Sequence, residues 1–188
     1  MNRQVPSVRA PATYQDVLDA PRGMVAELVG GTLHLQPRPA SRHARASFLL
    51  SGRLARPFDD GLDGPGGWYF AFEPELHFGE DVLVPDLAGW QRERMGAFPD
   101  TPAFEMAPDW ICEILSPSTR QFDLIEKRAL YGARGVGFLW LVDPSVETLE
   151  AFVLREGAWL LLGTAAGDSE VRLPPFDAIG FPLSALWP

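Results

Sequence analysis

Three polar residues stand where a folded chain needs a reason to keep them. Asp86 follows Pro85 inside the apolar run "VLVPDLAGW", Glu113 interrupts "ICEIL", and Lys127 stands four residues after Asp123 in "DLIEKRALY". In a strand, residues two apart share a face, so Glu113 lies between Ile111 and Leu115. An ionised carboxylate among apolar groups is costly unless a cation, a partner or a proton relieves it. If the strands carrying Asp86 and Glu113 are neighbours, their carboxylates can converge at one edge of the sheet. Converging carboxylates repel unless a cation sits between them. Mg²⁺ or Mn²⁺ suits that position, because a hard ion takes oxygen ligands from one or two carboxylates and completes its shell with water and substrate phosphate. An ion so held can polarise a phosphodiester and lower the pKa of a bound water. A nearby lysine can orient that water or offset charge on the phosphate. The same residues also fit a plainer reading: a Pro-Asp at a strand end, a glutamate facing water, and Lys127 paired with Asp123 on a solvated helix face. Spacing alone does not choose between the two.

The elements that must position these residues follow from pattern and punctuation. Thr13 with Asp16 forms a capping-box signature for a short helix running to about Ala20. "VAELVGGTLHLQP" is two alternating runs around Gly30-Gly31, a hairpin. Ser41 is placed to cap a second helix with an apolar face of Ala44, Phe48, Leu50, Leu54 and Phe58, and "DDGLDGPGG" ends it. "WYFAFEPELHF" and "VLVPDLAGW" read as two strands joined by "GED", and residues 91–108 as an irregular excursion. "DWICEIL" is a third strand. "SPST" leads into a helix over about 120–134 that stops at Gly135, and "FLWLVD" is a buried strand. "TLEAFVL" and "AWLLLG" add two more strands, and the tail packs back through Phe181, Leu186 and Trp187. The expected fold is mixed α/β (α+β), with a core of helix, three strands, helix, strand, a hairpin before it and strands after it. No linker or repeat divides residues 1–188, so a single domain is expected.

Composition narrows the function. The net charge of −9 argues against broad, non-specific nucleic-acid binding, which requires a basic surface, although a local basic patch or a metal-offset site stays compatible. Cys112 is the single cysteine; no intrachain disulfide can form, and its place inside a strand marks it as a small buried hydrophobe. The opening "MNRQVPSVRAPATY" lacks a signal-peptide core and no apolar run reaches membrane length, so a cytoplasmic location is expected. His34, His43 and His77 form no close pair of the kind a zinc site uses.

The order "PD", an acid in an apolar strand, then a lysine resembles the PD-(D/E)XK nuclease superfamily. Within it, nearly the whole chain is similar to the Uma-type family of restriction-endonuclease-like proteins. The resemblance is carried by "AELVGGTLHLQPRPASRH", by "VPDLAGW", and above all by "ICEILSPSTRQFDLIEKRALYGARGVGFLWLVDP". It implies a restriction-endonuclease-like core, with Asp86 and Glu113 as metal ligands and the Ile114 carbonyl as a third. The superfamily places its lysine two positions after the acid, where this chain has Leu115. The resemblance implies that in this branch the role passes to the following helix, with Lys127 as the candidate. The resemblance also draws attention to Glu27, as a further metal ligand or a partner holding Lys127, and to His43, as a phosphate contact or a packing residue.

Glu73 and Glu75 alternate on the strand before Asp86, and Glu73 is the candidate to join the acids. The leading expectation is a Mg²⁺- or Mn²⁺-dependent DNA endonuclease acting as a homodimer. Its cleft would be lined by Arg38, Arg42, Arg45 and Arg53, leaving the acidic surplus outside. The alternative is a catalytically inactive nuclease fold kept as an interaction or dimerisation module, favoured by the acidic charge and by Leu115. A glycosidase using the two carboxylates would want aromatic sugar platforms, which the scattered tryptophans do not suggest.

Overall fold

The computed structural model describes residues 10–187, and most of the opening stretch read above for a targeting signal lies outside them. The first elements follow local chemistry closely. Helix α1 (Tyr14–Leu18) carries the expected capping box, Thr13 and Asp16 satisfying each other's end of the first turn. Strands β1 (Met24–Val29) and β2 (Thr32–Pro37) pair antiparallel around Gly30 and Gly31. Both glycines have positive φ, 56° and 72°, as a tight two-residue hairpin turn requires.

Helix α2 (Ser41–Leu54) continues into a π-helical turn, Ala55–Asp59. Two expectations fail here. The helix is entered from Ala40, and Ser41 is its first residue with no side-chain cap. The buried stripe is Ala46, Leu50, Leu54 and Phe58, spaced by four, whereas Ala44 is exposed and Phe48 is 68% exposed. A four-residue repeat keeps one helical face, and Phe48 falls off it.

The two long runs expected as single strands each break at a proline. The first becomes β3 (Trp68–Phe72) and β4 (Leu76–Phe78) on either side of Pro74. The second becomes β5 (Asp81–Leu83) and β6 (Leu87–Gln91) on either side of Pro85. Each proline removes a ladder donor, and the chain changes sheet there. β4 and β5 join the hairpin in a four-stranded sheet ordered β2-β1-β5-β4. Helix α3 (Arg92–Met95) interrupts the otherwise irregular excursion before β7 (Trp110–Ile114). Next come α4 (Arg120–Phe122), a π-helical turn (Asp123–Lys127) and α5 (Arg128–Ala133), then β8 (Phe138–Asp143), β9 (Thr148–Arg155) and β10 (Ala158–Ala166).

The main sheet is ordered β10-β9-β8-β7-β6-β3, with β7 and β8 parallel and its other pairs antiparallel. Alternation on β7 divides the core. Trp110, Cys112 and Ile114 pack with the α2 stripe, and Ile111 and Leu115 pack with Tyr131 of α5 on the opposite face. The tail closes the α2 side through β11 (Glu170–Val171), β12 (Phe181–Pro182) and a 3-10 turn (Leu183–Leu186). Phe181 and Leu186 are buried as expected, Trp187 packs at the margin, and Phe176 sits among Trp68, Phe70, Trp110 and Trp140. Trp68, Trp90, Trp110 and Trp140 are core residues, so they offer no sugar platform. Cys112 is fully buried, and burial pushes its thiol well above its ordinary pKa. No helix among the described residues is long and apolar enough to cross a membrane.

Candidate active site

β6 and β7 are neighbours, as the site requires: Leu87 pairs with Cys112 and Ala88 with Ile111. Asp86 precedes β6 and Glu113 is the last but one residue of the antiparallel neighbour β7, so both carboxylates lie at the same end of the sheet. They line one cavity of about 280 Å³, together with Glu27, His43, Glu73, Asp123 and Lys127.

Asp86 is held at both oxygens. Oδ2 accepts the Ile114 backbone N–H at 2.7 Å, and Oδ1 lies 3.2 Å from His43 Nε2. The Ile114 carbonyl, expected as a metal ligand, favours the charged form of the same imidazole. Burial disfavours the His43 imidazolium, but Asp86, with help from Asp123 and that carbonyl, outweighs it and raises the pKa above the usual histidine range.

Glu113 is 2% exposed on the α5 side of β7. Its Oε1 accepts the Tyr131 hydroxyl at 2.5 Å and lies 2.8 Å from Lys127 Nζ. The ammonium also lies 2.9 Å from Glu27 Oε1 and 3.7 Å from Asp123 Oδ1, and it donates to the Val84 carbonyl at 3.3 Å. Three acids therefore surround one cation that is itself 2% exposed, which rules out the solvated-face reading of Lys127. Burial pushes Glu113 well above the carboxylate range; Lys127 opposes that push, and Asp123, Asp86 and Glu27 add to it. Burial works against the Lys127 charge, yet Glu113, Glu27, Tyr131 and Asp123 together hold its pKa well above the usual value. Lys127 is thus a fixed cation within a surplus of negative charge. The π-helical turn Asp123–Lys127 keeps both residues facing inward, a distortion often found at functional sites.

The remaining candidates separate. Glu27 is 1% exposed and braced by the Val84 N–H at 2.8 Å and by Gln36 Nε2 at 3.0 Å, so it is built into the cluster. Glu73 lines the cavity at φ 45° with its N–H on the Asp86 carbonyl. Glu75, expected on the same face as Glu73, is diverted by Pro74 to bond Tyr14 and His77, each at 2.7 Å. Leu115, two positions after Glu113, is buried with Ile111 in the core. Arg38 is exposed at the cavity rim, 3.8 Å from Glu73. Arg42 donates to the Pro144 carbonyl at 3.3 Å, and Arg42, Arg45 and Arg53 are exposed along one stripe of α2.

Two features escaped the spacing arguments. Tyr131 completes an inward stripe of Asp123, Lys127 and Tyr131, each four residues after the last, and that repeat is its sequence signal. Lys127 is also the sole lysine among the 16 lysine and arginine residues of the chain. An ammonium is a compact point charge that can address several oxygens in different directions, whereas a guanidinium is a planar fork.

The helix carrying Lys127 is pinned to the sheet by Arg120, whose guanidinium bonds Asp143 at the end of β8. Burial would raise the Asp143 pKa, but hydrogen bonds from Ser145 and Arg120 lower it. A carboxyl with a lowered folded-state pKa contributes stability that is present above its unfolded pKa and lost as pH falls through the folded one. Asp143→Asn should therefore cost about 1 kcal/mol at neutral pH. The gap to wild type in thermal melts should close as pH falls below the ordinary carboxylate range, near about 4.

A solved structure with a similar fold is a "putative nuclease belonging to DUF820" from Anabaena variabilis, 20% identical, with TM-score 0.70, covering 94% of this chain and 97% of its own. None of the curated proteins compared matches this chain. The family model described as "Putative restriction endonuclease" matches residues 11–184, and the chain therefore belongs to the Uma2 family.

Proposed function

We propose that this protein is a metal-dependent DNA endonuclease hydrolysing phosphodiester bonds, carried by one domain and working as a cytoplasmic homodimer. The observation that carries the reading is the fixed Lys127 ammonium, held between Glu27 and Glu113 in the cavity that Asp86 also lines. The donor set fits a hard divalent cation. It offers oxygen atoms in excess of the positive charge present. Among the described residues no three His, Cys, Asp or Glu side chains form a metal cluster, so an ion such as Mg²⁺ or Mn²⁺ would take much of its shell from water and phosphate. Asp86, Glu113 and the Ile114 carbonyl would hold it. Bound there, the ion would supply Lewis-acid activation and a water of lowered pKa.

The chain's own groups have distinct tasks. Lys127, kept protonated by its acids, cannot accept a proton and so acts as a fixed positive charge facing the phosphate. Tyr131 and Glu27 orient it and Glu113. His43 keeps Asp86 Oδ1 in place and lines the cavity as a donor. Purified protein with Mn²⁺ should nick supercoiled plasmid, EDTA should stop it, and Asp86→Asn should lose the activity with an unchanged circular dichroism spectrum. Full activity in Asp86→Asn would refute the assignment.

DNA reaches an acidic protein through a local patch, and the exposed arginines of α2 are the candidate. Each lost phosphate contact lowers the salt slope of binding by about 0.9. Replacing Arg42 and Arg45 together should thus flatten the slope by about 2. An unchanged slope places the DNA elsewhere.

A second reading, a nuclease fold kept as an inactive interaction module, is supported by the net charge of −9 and by Leu115, two positions after Glu113, being packed into the core. Saturable Mn²⁺ binding that is lost in Glu113→Gln separates the active site from the abandoned one.

A further inference from the structure

Helix α2 and the turn after it carry a run unlike the rest of this acidic chain. Residues 41–56 contain Arg42, Arg45, Arg53 and Arg56 and no aspartate or glutamate, in a protein with 25 acids. Arg56 pairs with Asp63 and Arg42 reaches the Pro144 carbonyl, whereas Arg45 and Arg53 have no partner among the described residues. The spacing 42, 45, 49, 53, 56 keeps the arginines on one flank of the helix, with half-buried Leu49 between them.

Phe48 stands beside that flank, three residues after Arg45 and four before Gly52. At 68% it is the most exposed large apolar side chain among the described residues. Packing does not explain it, because the buried stripe of Ala46, Leu50, Leu54 and Phe58 is complete without it. The run starts at the candidate active site: Ala40 and His43 line that cavity, and Phe48 lies about 8 Å further along the helix axis. Arg42 to Arg53 covers about 16 Å, the rise of roughly five nucleotides. At the far end, Gly52, Arg53 and Arg56 line a second cavity of about 230 Å³, with Leu62 and Ile179 on its wall.

Charge selects a polyanion, and the ring selects its form. A closed duplex shows phosphates and groove edges, which give a lone phenyl ring no face to meet. A single strand offers a π-face at every base, and a basic path with an aromatic beside it is what holds one. A path one helix wide also limits how much polyanion approaches a chain of net charge −9. A lipid surface would want a whole apolar face, and α2 exposes one large apolar side chain. We infer that the outward face of α2 is a binding track for single-stranded or locally unpaired DNA, with Arg45 and Arg53 on phosphates and Phe48 stacked on a base. The choice of DNA rests on the nuclease reading; what is added is the form of the substrate, a strand already unpaired.

The track lies outside the cavity, so binding can be read in EDTA, without cleavage. In fluorescence anisotropy with a labelled oligonucleotide, the full chain should bind the single strand about tenfold more tightly than the same sequence as a duplex. Phe48→Ala should remove that preference by weakening the single strand about tenfold, with salt dependence and thermal midpoint unchanged. Phe48→Trp should match or exceed wild type, whereas Phe48→Leu, apolar but without a π-face, should behave like Phe48→Ala. A duplex bound as tightly as the single strand, no binding of either, or wild-type affinity in Phe48→Ala or Phe48→Leu would each overturn the track. So would a Phe48→Ala variant that changes sedimentation but not DNA affinity, since the ring would then be a protein contact. The nuclease reading is decided separately, by Asp86→Asn in the nicking assay.

Discussion

Lys127→Met should melt well below wild type, by roughly 10 °C, for a chain of this size losing about 3–5 kcal/mol. The size of the loss comes from what remains, not from the contacts removed. Glu27, Glu113 and Asp123 stay buried, at 1%, 2% and 4% exposure, without the charge that faced them. Their relief is protonation, so the deficit should shrink as the pH is lowered. Lys127→Arg should recover little of the stability, because a planar fork cannot take the place of an ammonium directed at three acids and a carbonyl. Melting within about 2 °C of wild type would mean that the acids do not depend on this cation.

Glu113→Gln should behave in the opposite way. It should lower plasmid nicking by about 100- to 1,000-fold while leaving the thermal midpoint unchanged or higher. The amide oxygen can still accept the Tyr131 hydroxyl and a Lys127 proton. One negative charge leaves a site where burial and three neighbouring acids already work against it. A residue whose neutralisation spares the fold and removes activity marks a site maintained for function at some expense in stability. A midpoint several degrees lower would instead make Glu113 a structural partner of Lys127.

The contrast between these residues was only partly visible in the chain. Asp86, Glu113 and Lys127 were legible because each violates its local pattern: a charge beside Pro85 in an apolar run, an acid in a buried strand, a lysine on a helix that follows it. The hairpin was legible because two adjacent glycines allow little else. The sheet change at Pro74 and Pro85 was signalled by the prolines themselves, yet the apolar runs on either side are continuous, and hydropathy alone joined them. Phe48 looked like core because it is apolar, although the four-residue repeat of Ala46, Leu50 and Leu54 leaves it on the water side. The pairing of Tyr131 with Glu113 and of His43 with Asp86 joins residues 18 and 43 apart in sequence, and no local rule reaches that far. Tertiary contact also decides that the helix face bearing Lys127 is buried, where local spacing allowed a solvated one.

The sole lysine offers a direct view of the site. Protein grown with side-chain ¹³C-labelled lysine should give one lysine resonance, that of Lys127. If a divalent cation binds at Asp86 and Glu113, Mn²⁺ should broaden that resonance in a saturable way, and Mg²⁺ should compete the effect off. Asp86→Asn and Glu113→Gln should each leave the signal sharp. A lysine signal that stays sharp at saturating Mn²⁺, or broadens equally in those variants, would contradict a metal held between the two acids.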